Sequence, residues 1–268
     1  MKYYVVDAFT DQVFKGNQAA VYFPEKKWPS DEYMTSLCRE NNYSDIALLM
    51  KKDGGYNIRW FTQQGEIEFC GHATMAASFV ILFYEEPYAD EVHFDSMHGH
   101  IVITKSGSLI NMKLETYHLR PVSVTDEMVA ATGISTRPTE AWIDRDLMLV
   151  YDDEETVRSM KPDMEKVKRL DGLLLHVTAP GKEYDCVSRS FAPKCDVVED
   201  PVCGSGHCHI IPYWSKRLGK TDIKAFQASK RTGVLYGHCE QDSMIISGHA
   251  ALFAKGEAAN EDGSFWPN

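Results

Sequence analysis

The chain has little of what several classes of protein require. Positive charge is scarce: 28 Lys and Arg stand against 39 Asp and Glu, and the net charge of −11 repels nucleic acid and anionic lipid. Long apolar runs are missing, because the longest, Ala73 to Tyr84, falls short of the roughly 20 residues that span a bilayer. Asp7 and Asp11 interrupt the start, where a secretory signal would be apolar. We therefore expect a cytoplasmic protein with neither a nucleic-acid nor a membrane partner.

Cysteine occurs, but not in the spacing of a disulfide framework or a zinc site. The seven cysteines are an odd number, in a chain of 268 residues that can bury a core without cross-links. Cys203 and Cys208, with His207 and His209, offer zinc-ligand chemistry, but no CxxC or HExxH spacing is found. Reduced thiols are expected, and no metal is predicted.

One phrase occurs twice in the sequence, about half a chain length apart. The first copy runs from Arg59-Trp60-Phe61 through acidic residues to Cys70-Gly71. The second runs from Arg189-Ser190-Phe191 through acidic residues to Cys203-Gly204. In both copies, small residues after the Cys-Gly pair open an apolar segment. The repetition predicts two similarly built halves that each contribute one copy of the same turn.

A Cys-Gly pair at a strand-to-helix turn places free backbone N–H groups at the N-terminus of a helix. The helix dipole there favours a bound anion or a thiolate. Two such turns facing each other are expected to hold a substrate carboxylate while side chains add and remove a proton. A free cysteine is often just a small buried apolar residue, so either pair alone is open to both interpretations. If the thiolate is favoured, Cys70 and Cys203 should react faster with thiol reagents than a core cysteine such as Cys186.

The hydrophobic pattern predicts a mixed, mostly antiparallel sheet with one main helix in each half. Helices are predicted at Asp31 to Asn41 with Ser30 as N-cap, Ala73 to Phe83, Met164 to Leu170 and His207 to Leu218. A polar, proline-containing link at His118 to Pro121 is the expected boundary. The predicted halves are residues 1–118 and 119–268, with the last strand free to cross to the first half.

Seven motifs occur in order along nearly the whole chain, from Asp7 to about Gly248. They are Gly16-Asn17-x-Ala-Ala-Val, Asn42-Tyr43-Ser44-Asp45-Ile46-Ala47, Arg59-Trp60-Phe61-Thr62, Cys70-Gly71-His72-Ala73-Thr74, Arg189-x-Phe191-Ala192-Pro193, Glu199-Asp200-Pro201-Val202-x-Gly204-Ser205-x-His207-Cys208 and Tyr213-Trp214. Together they resemble the PhzF-type isomerase family of phenazine biosynthesis.

The resemblance implies an α+β, diaminopimelate-epimerase-like fold. In that fold two pseudo-symmetric domains, each a barrel-like mixed sheet around a central helix, form the site in the cleft between them. The resemblance also implies an isomerase of small carboxylate substrates that uses neither an organic cofactor nor a metal. With the general bias towards symmetric assemblies, it favours a homodimer.

Site residues carry over from the family position by position. The family's catalytic acid normally sits in a Ser-Glu-Thr phrase, and Ser44-Asp45-Ile46 occupies that place here. His72 matches the family's pocket histidine, and Asp200 matches its second acidic residue. The backbone groups expected to bind the substrate belong to Gly71, Ala73, Gly204, Ser205 and Gly206.

Two departures from the family pattern leave three hypotheses. Asp45 is one methylene shorter than the usual Glu, and Cys203 stands where the family has Thr. Cys70 and Cys203 thus occupy the positions of the acid and base thiols in diaminopimelate epimerases and proline racemases. The first hypothesis is an isomerase with Asp45 as general acid/base, helped by His72 and Asp200. The second is a two-thiol amino-acid racemase or epimerase, and the third is a protein that binds small carboxylates without catalysis.

Overall fold

The computed structural model describes residues 1–97 and 99–263. The chain divides into two compact units. The first comprises Met1–Met112 and the chain from Ser247 onward, and the second comprises Lys113–Ile246. The observed division thus lies a few residues before the expected link at His118 to Pro121. Within the described residues, no helix combines the length and the apolar character needed to cross a membrane.

The first unit is built mainly of strands. Its elements are β1 Lys2–Ala8, β2 Asn17–Phe23, α1 Asp31–Glu40, β3 Asp45–Lys52, β4 Gly55–Thr62, β5 Glu66–Ile67, α2 Gly71–Val80, β6 Glu91–Ser96, β7 Gly99–Ser106, β8 Leu109–Glu115, which continues past the division, and β18 Ala250–Glu257. A π-helical turn, Ile81–Glu85, extends α2.

The second unit repeats this composition with more short helices. Its elements are β9 Arg120–Val122, α3 Asp126–Thr132, β10 Glu140–Ile143, β11 Leu147–Val150, α4 Glu154–Ser159, α5 Met164–Val167, β12 Leu175–Pro180, β13 Cys186–Ala192, β14 Val197–Asp200, α6 Gly204–Leu218, β15 Asp222–Gln227, β16 Gly233–Cys239 and β17 Ser243–Gly248, whose end passes into the first unit.

Strands pair in the same order in both units. In the first, β1–β2 is antiparallel, β2–β3 parallel and β3–β4 antiparallel, and β4 then pairs antiparallel with β5 and parallel with β6. In the second, β10–β11 is antiparallel, β11–β12 parallel and β12–β13 antiparallel, and β13 pairs antiparallel with β14 and parallel with β15. The main helix follows the short strand each time. This agreement supports the duplication that the repeated phrase predicts.

The main helix of each unit packs on its sheet. Every residue of α2 from His72 to Val80 is buried, and α2 packs against β1, β2 and β3. Most of its own side chains are small or apolar on every face, as is typical of a helix enclosed by protein. In the second unit α6 packs against β13, β15 and β16, and Trp214 fixes it by donating its indole N–H to Thr178 Oγ1 at 2.9 Å.

The helix predictions hold where local signals decide. The helix predicted at Asp31 to Asn41 is α1, and the Ser30 hydroxyl accepts a hydrogen bond from Tyr33 N, as an N-cap does. The helix predicted from His207 begins earlier, at Gly204, because Cys203 takes the N-cap position. The segment predicted at Met164 to Leu170 is helical only over Met164–Val167. The short helices α3 and α4 lie outside the segments that the sequence predicts as helical.

Candidate active site

The repeated phrase folds into the same ion pair in both units. The guanidinium of Arg59 donates from Nε and Nη2 to the two carboxylate oxygens of Glu66, both at 2.7 Å. Arg189 makes the same two-pronged contact with Glu199, at 2.8 and 3.0 Å. The Arg59 guanidinium also lies over the ring of Phe61. Each Arg-x-Phe thus ties its strand to the acidic segment that leads to the Cys-Gly turn.

The two Cys-Gly turns cap the two main helices. Cys70 is the N-cap of α2, and Cys203 is the N-cap of α6. One helical turn after each cysteine, a side chain contacts that cysteine's carbonyl. Thr74 Oγ1 donates to the Cys70 carbonyl at 2.7 Å, and His207 Nδ1 contacts the Cys203 carbonyl at the same distance. We call the segment Cys70 to Ala73 the first turn and Cys203 to Gly206 the second turn.

The first turn gathers three groups that can exchange protons. His72 Nδ1 lies 3.4 Å from Cys70 Sγ, and His72 Nε2 lies 3.5 Å from Asp45 Oδ2. Asp45 begins β3, whose register with β4 sets it opposite Thr62. The side chains of Asp45 and His72 are 15% and 9% exposed, so they are shielded but still reachable. A carboxylate, an imidazole and a thiol in one small space suit proton transfer.

The same three side chains could also hold a metal ion. One ligand atom from each of Asp45, Cys70 and His72 lies within 4.8 Å of the others. Thiolate, imidazole and carboxylate are the ligands that zinc takes in proteins. The zinc ligands considered from the sequence, Cys203, Cys208, His207 and His209, do not assemble as a set among the described residues; of these only His209 joins such a group, with Asp146 and His176.

Side chains hold the backbone of the second turn in place. Cys203 Sγ accepts the N–H of Gly206 at 3.3 Å and lies 3.6 Å from Ser205 Oγ. The buried amide of Gln227 accepts from Cys203 N at 2.8 Å and donates to the Asp200 carbonyl at 2.6 Å. The Gly206 N–H, expected to bind substrate, is therefore already engaged. The N–H groups of Gly204 and Ser205 lie at the start of the helix and have no acceptor carbonyl four residues earlier within it.

Cys203 does not have the electrostatic environment that the sequence predicted. Burial raises the pKa of the Cys203 thiol well above its ordinary value, and the nearby carboxylate of Asp200 adds to the effect. The contact with Ser205 and the N–H of Gly206 oppose the shift without overcoming it. The expectation that the helix N-terminus favours a thiolate at Cys203 is therefore wrong, because desolvation outweighs the helix dipole.

A cluster that the sequence did not indicate lies behind the second turn. Arg145 Nη2 donates to Ser205 Oγ at 3.0 Å, and Arg145 also pairs with Asp146. Asp146 is fully buried beside His176 and His209, which are buried as well. The signal available in the sequence was only the polar run Asp144-Arg145-Asp146 between two apolar strands, which reads as an exposed loop.

A pocket within the first unit lies away from the first turn. Its volume is about 510 Å³, and Lys2, Glu25, Lys51 and Glu85 are among the residues that line it. None of the predicted site residues belongs to its lining. Asp45 and His72 therefore lie elsewhere in that unit.

Residues 6–256 match the family described as phenazine biosynthesis-like protein, PhzC-PhzF. The chain belongs to this family. It is 37% identical to an uncharacterized isomerase of Pseudomonas aeruginosa over 251 residues, which cover 94% of this chain and 96% of the relative. A PhzF-family crystal structure from Enterococcus faecalis is 43% identical, with a TM-score of 0.92 over 96% of this chain and 98% of that one.

More distant structures share only the fold. A probable proline racemase from Agrobacterium radiobacter superposes with a TM-score of 0.59 at 10% identity, over 96% of this chain and 92% of that one. The family and these neighbours confirm the α+β, epimerase-like fold implied by the motifs. Several relatives in the PhzC-PhzF family are named isomerases, and this member is an enzyme of the isomerase class.

Proposed function

We propose that this PhzF-family isomerase moves a proton within a small carboxylate-bearing substrate, with Asp45 as the general acid/base. The contact that carries the proposal is the one between Asp45 Oδ2 and His72 Nε2, at 3.5 Å beside the first turn. A carboxylate next to an imidazole can take a proton from carbon and pass it on, or return it to a neighbouring atom.

The shorter side chain of Asp45 is compatible with this role. General acid/base catalysis needs heavy atoms within about 2.6–3.2 Å in the reacting complex, directly or through one water. Apo distances of such pairs are often longer, so 3.5 Å leaves room for the pair to tighten around a ligand. The His72 side chain is only 9% exposed, which limits competing contact with bulk water.

The substrate carboxylate is assigned to the turn amides. The first N–H groups of α2 and α6 have no partner four residues earlier within their helices, and the helix dipole favours an anion at this point. Gly71 and Ala73 supply such groups in the first turn, and Gly204 and Ser205 supply them in the second, so each turn by itself offers N–H groups to an anion. Asp200 accepts Val202 N–H at 3.1 Å, which supports a role in shaping the second turn.

The two-thiol mechanism is the second candidate. Cys70 favours it, because an imidazole nitrogen 3.4 Å from the sulfur can take up the thiol proton. Cys203 does not, because its pKa is raised well above the ordinary value and so its thiolate is disfavoured. We therefore place the proton-transfer chemistry on Asp45 and His72.

Solvent deuterium exchange tests the proposal. The purified protein is incubated in heavy water with a panel of small amino and hydroxy carboxylates, and proton NMR follows the replacement of carbon-bound protons. Asp45→Asn should lower the exchange rate by a factor of about 10² to 10⁴. Asp53→Asn, in an exposed turn of the same hairpin, is the matched control and should leave the rate unchanged.

Other variants separate the competing hypotheses. An unchanged exchange rate in Asp45→Asn, with loss in both Cys70→Ser and Cys203→Ser, would establish the two-thiol mechanism instead. If the parent binds a panel member without exchange and Asp45→Glu gains exchange, the natural protein is a binding protein. The homodimer stays a prediction, and a mass of about 30 kDa by light scattering would contradict it, since the chain is 30.3 kDa.

A further inference from the structure

Behind the second turn, a buried carboxylate holds an arginine in one orientation. Arg145 donates from Nε to Asp146 Oδ1 at 3.0 Å and from Nη2 to Asp146 Oδ2 at 2.5 Å. Asp146 has no exposed surface, whereas the Arg145 side chain remains 33% exposed. A two-pronged pair of this kind fixes the plane of the guanidinium as well as its position.

Asp146 is itself held from the opposite side. His176 Nε2 lies 3.0 Å from Asp146 Oδ2, and His176 Nδ1 lies 2.9 Å from Ser190 Oγ. Burial alone would raise the pKa of Asp146, but hydrogen bonds from His176 and Arg145 outweigh it and hold that pKa well below its usual range. The carboxylate is therefore ionised and accepts from both neighbours, which assigns the His176 proton to Nε2.

Aromatic rings support the same arginine. The Arg145 guanidinium carbon lies 4.9 Å from the centroid of the Tyr117 ring, and Tyr117 stacks on His209 at 4.0 Å with the planes 13° apart. His176 in turn packs against the second turn, because a Cβ on Gly206 would lie 2.5 Å from its ring. The cluster and the second turn thus pack directly against each other.

The guanidinium keeps donors for a ligand. Nε and Nη2 are used by Asp146 and Ser205, whereas Nη1 donates no hydrogen bond to any residue the structure describes. An arginine whose orientation is fixed in advance loses little conformational freedom on binding an anion. Burying Asp146 and His176 merely to form a surface ion pair would contribute little stability.

We propose that Arg145 is a substrate-binding residue, whose guanidinium binds the substrate carboxylate at the second turn together with the Ser205 hydroxyl. Asp146, His176 and Tyr117 are positioning residues that hold it. The inference rests on the proposed function. It limits the substrates to compounds that bind through a carboxylate at the second turn. A carboxamide of the same shape satisfies the site less well, because it brings no negative charge and turns N–H groups towards donors.

Metal binding by this cluster is the competing interpretation. Asp146, His176 and His209 each bring a ligand atom within 4.8 Å of the others, and neither ring nitrogen of His209 has a hydrogen-bond partner among the described residues. However, both oxygens of Asp146 already accept from a guanidinium, and both nitrogens of His176 are engaged. A cation at this position would meet the positive charge of Arg145, so the observations favour the anion.

Binding measured with and without the charge tests the proposal. Calorimetry compares proteinogenic amino acids and the matching 2-hydroxy acids with their carboxamides. Arg145→Gln should weaken binding of the preferred carboxylate by about 10- to 100-fold and leave the carboxamide unchanged. Arg145→Lys keeps the charge without the fork and should fall between, and it also serves if Arg145→Gln does not fold. Arg137→Gln, which loses an exposed ion pair with Asp126, is the matched control.

The positioning residues have a readout that a general loss of stability would not move. Asp146→Asn and His176→Ala should lower the preference for carboxylate over carboxamide. His176→Gln should recover part of that preference, because its amide can still donate to Asp146. A structural role alone would weaken both ligands equally or lower the melting temperature with the preference intact.

The outcomes separate this inference from the proposed function. Equal carboxylate binding by the parent and by both Arg145 variants overturns the role of Arg145 and leaves Asp45 untouched. Binding that depends on Arg145 without any proton exchange supports Arg145 and overturns the role of Asp45. If no carboxylate binds the parent, or if Zn²⁺ binds it and the binding is lost in His209→Phe, the role of Arg145 is overturned.

Discussion

The first and second turns have the same frame, but a different charged side chain contacts the third residue of each turn. In the first turn that residue is His72, backed by the carboxylate of Asp45. In the second it is Ser205, backed by the guanidinium of Arg145. The frame is alike, with a cysteine N-cap and an Arg–Glu pair that anchors the preceding strand.

Similar turns thus carry different charged groups in the two units. Groups that accept and release protons collect at the first turn, whereas a fixed positive charge collects at the second. A thiol at the N-cap is common to both, so the cysteines alone do not distinguish the two turns. The two turns therefore carry different chemistry, with acid/base groups at the first and a fixed cation at the second.

The largest predicted difference between the units is in their response to acid. Burial lowers the pKa of His207 to about 4 and that of His209 to about 4, from 6.5. The folded state therefore excludes protons that the unfolded chain binds. The stability contributed by the neutral rings is complete above pH 6.5 and is lost as the pH falls towards 4. From pH 7 to pH 5 the loss should be about 2 kcal/mol for each histidine.

Urea unfolding across this pH range, with hydrogen exchange resolved by residue, measures that loss. Amides of the second unit should lose protection first. His209→Phe keeps a ring to stack on Tyr117 and should flatten the pH dependence. A first unit that opens at the same pH, with a slope unchanged in the variant, would show that these histidines are not the cause.

The Arg–Glu pairs should contribute unequally. Arg189 also donates to the carbonyl of Met160 at 2.7 Å, whereas the additional partner of Arg59 is the exposed Asp31. We expect Arg189→Ala to cost about 3 kcal/mol and Arg59→Ala about 2 kcal/mol, because each leaves a partly buried glutamate unpaired. Denaturant unfolding of the two variants checks the order, and equal costs would mean that the backbone contact adds nothing.

The fourth residue of each turn can be replaced by its counterpart from the other turn. Gly206 has no space for a side chain, since a Cβ would lie 2.5 Å from the His176 ring, whereas the first turn has Ala73 in this place. Gly206→Ala should therefore cost about 2 kcal/mol despite the better helix propensity of alanine. Ala73→Gly should cost about 1 kcal/mol. A stabilising Gly206→Ala would show that His176 moves freely, contrary to the two hydrogen bonds that hold it.

Thiol labelling should show the smallest contrast, one of rate. Exposed Cys195 should react first, ahead of the buried cysteines. Cys70, beside an imidazole, should precede Cys203 and Cys186, because burial raises the pKa of both of these thiols. Alkylation followed by peptide mass spectrometry gives the order. A Cys203 that reacts as fast as Cys70 would revive the two-thiol mechanism.

Local interactions explain what the sequence determined by itself. Ser30 caps α1 and Asp53-Gly54 turns the β3–β4 hairpin, because each depends only on residues a few positions away. The repeated Arg-x-Phe phrase is enough to predict the duplicated frame. The family motifs named Asp45, His72 and Cys70, and the structure places the three within one small space.

Only the tertiary structure determined what lies behind the second turn. Asp144-Arg145-Asp146 reads as a polar loop, and nothing nearby marks Asp146 for complete burial. The residues that contact Asp146 and Arg145 are distant in sequence: His176 is 30 positions from Asp146, and Ser205 is 60 positions from Arg145. The pairing of β11 with β12, and the close approach of Gly206 in α6 to the His176 ring, bring these residues together. The same desolvation raises the pKa of Cys203, which its helix N-terminus alone would have lowered, because burial is a property of the whole fold and not of the turn.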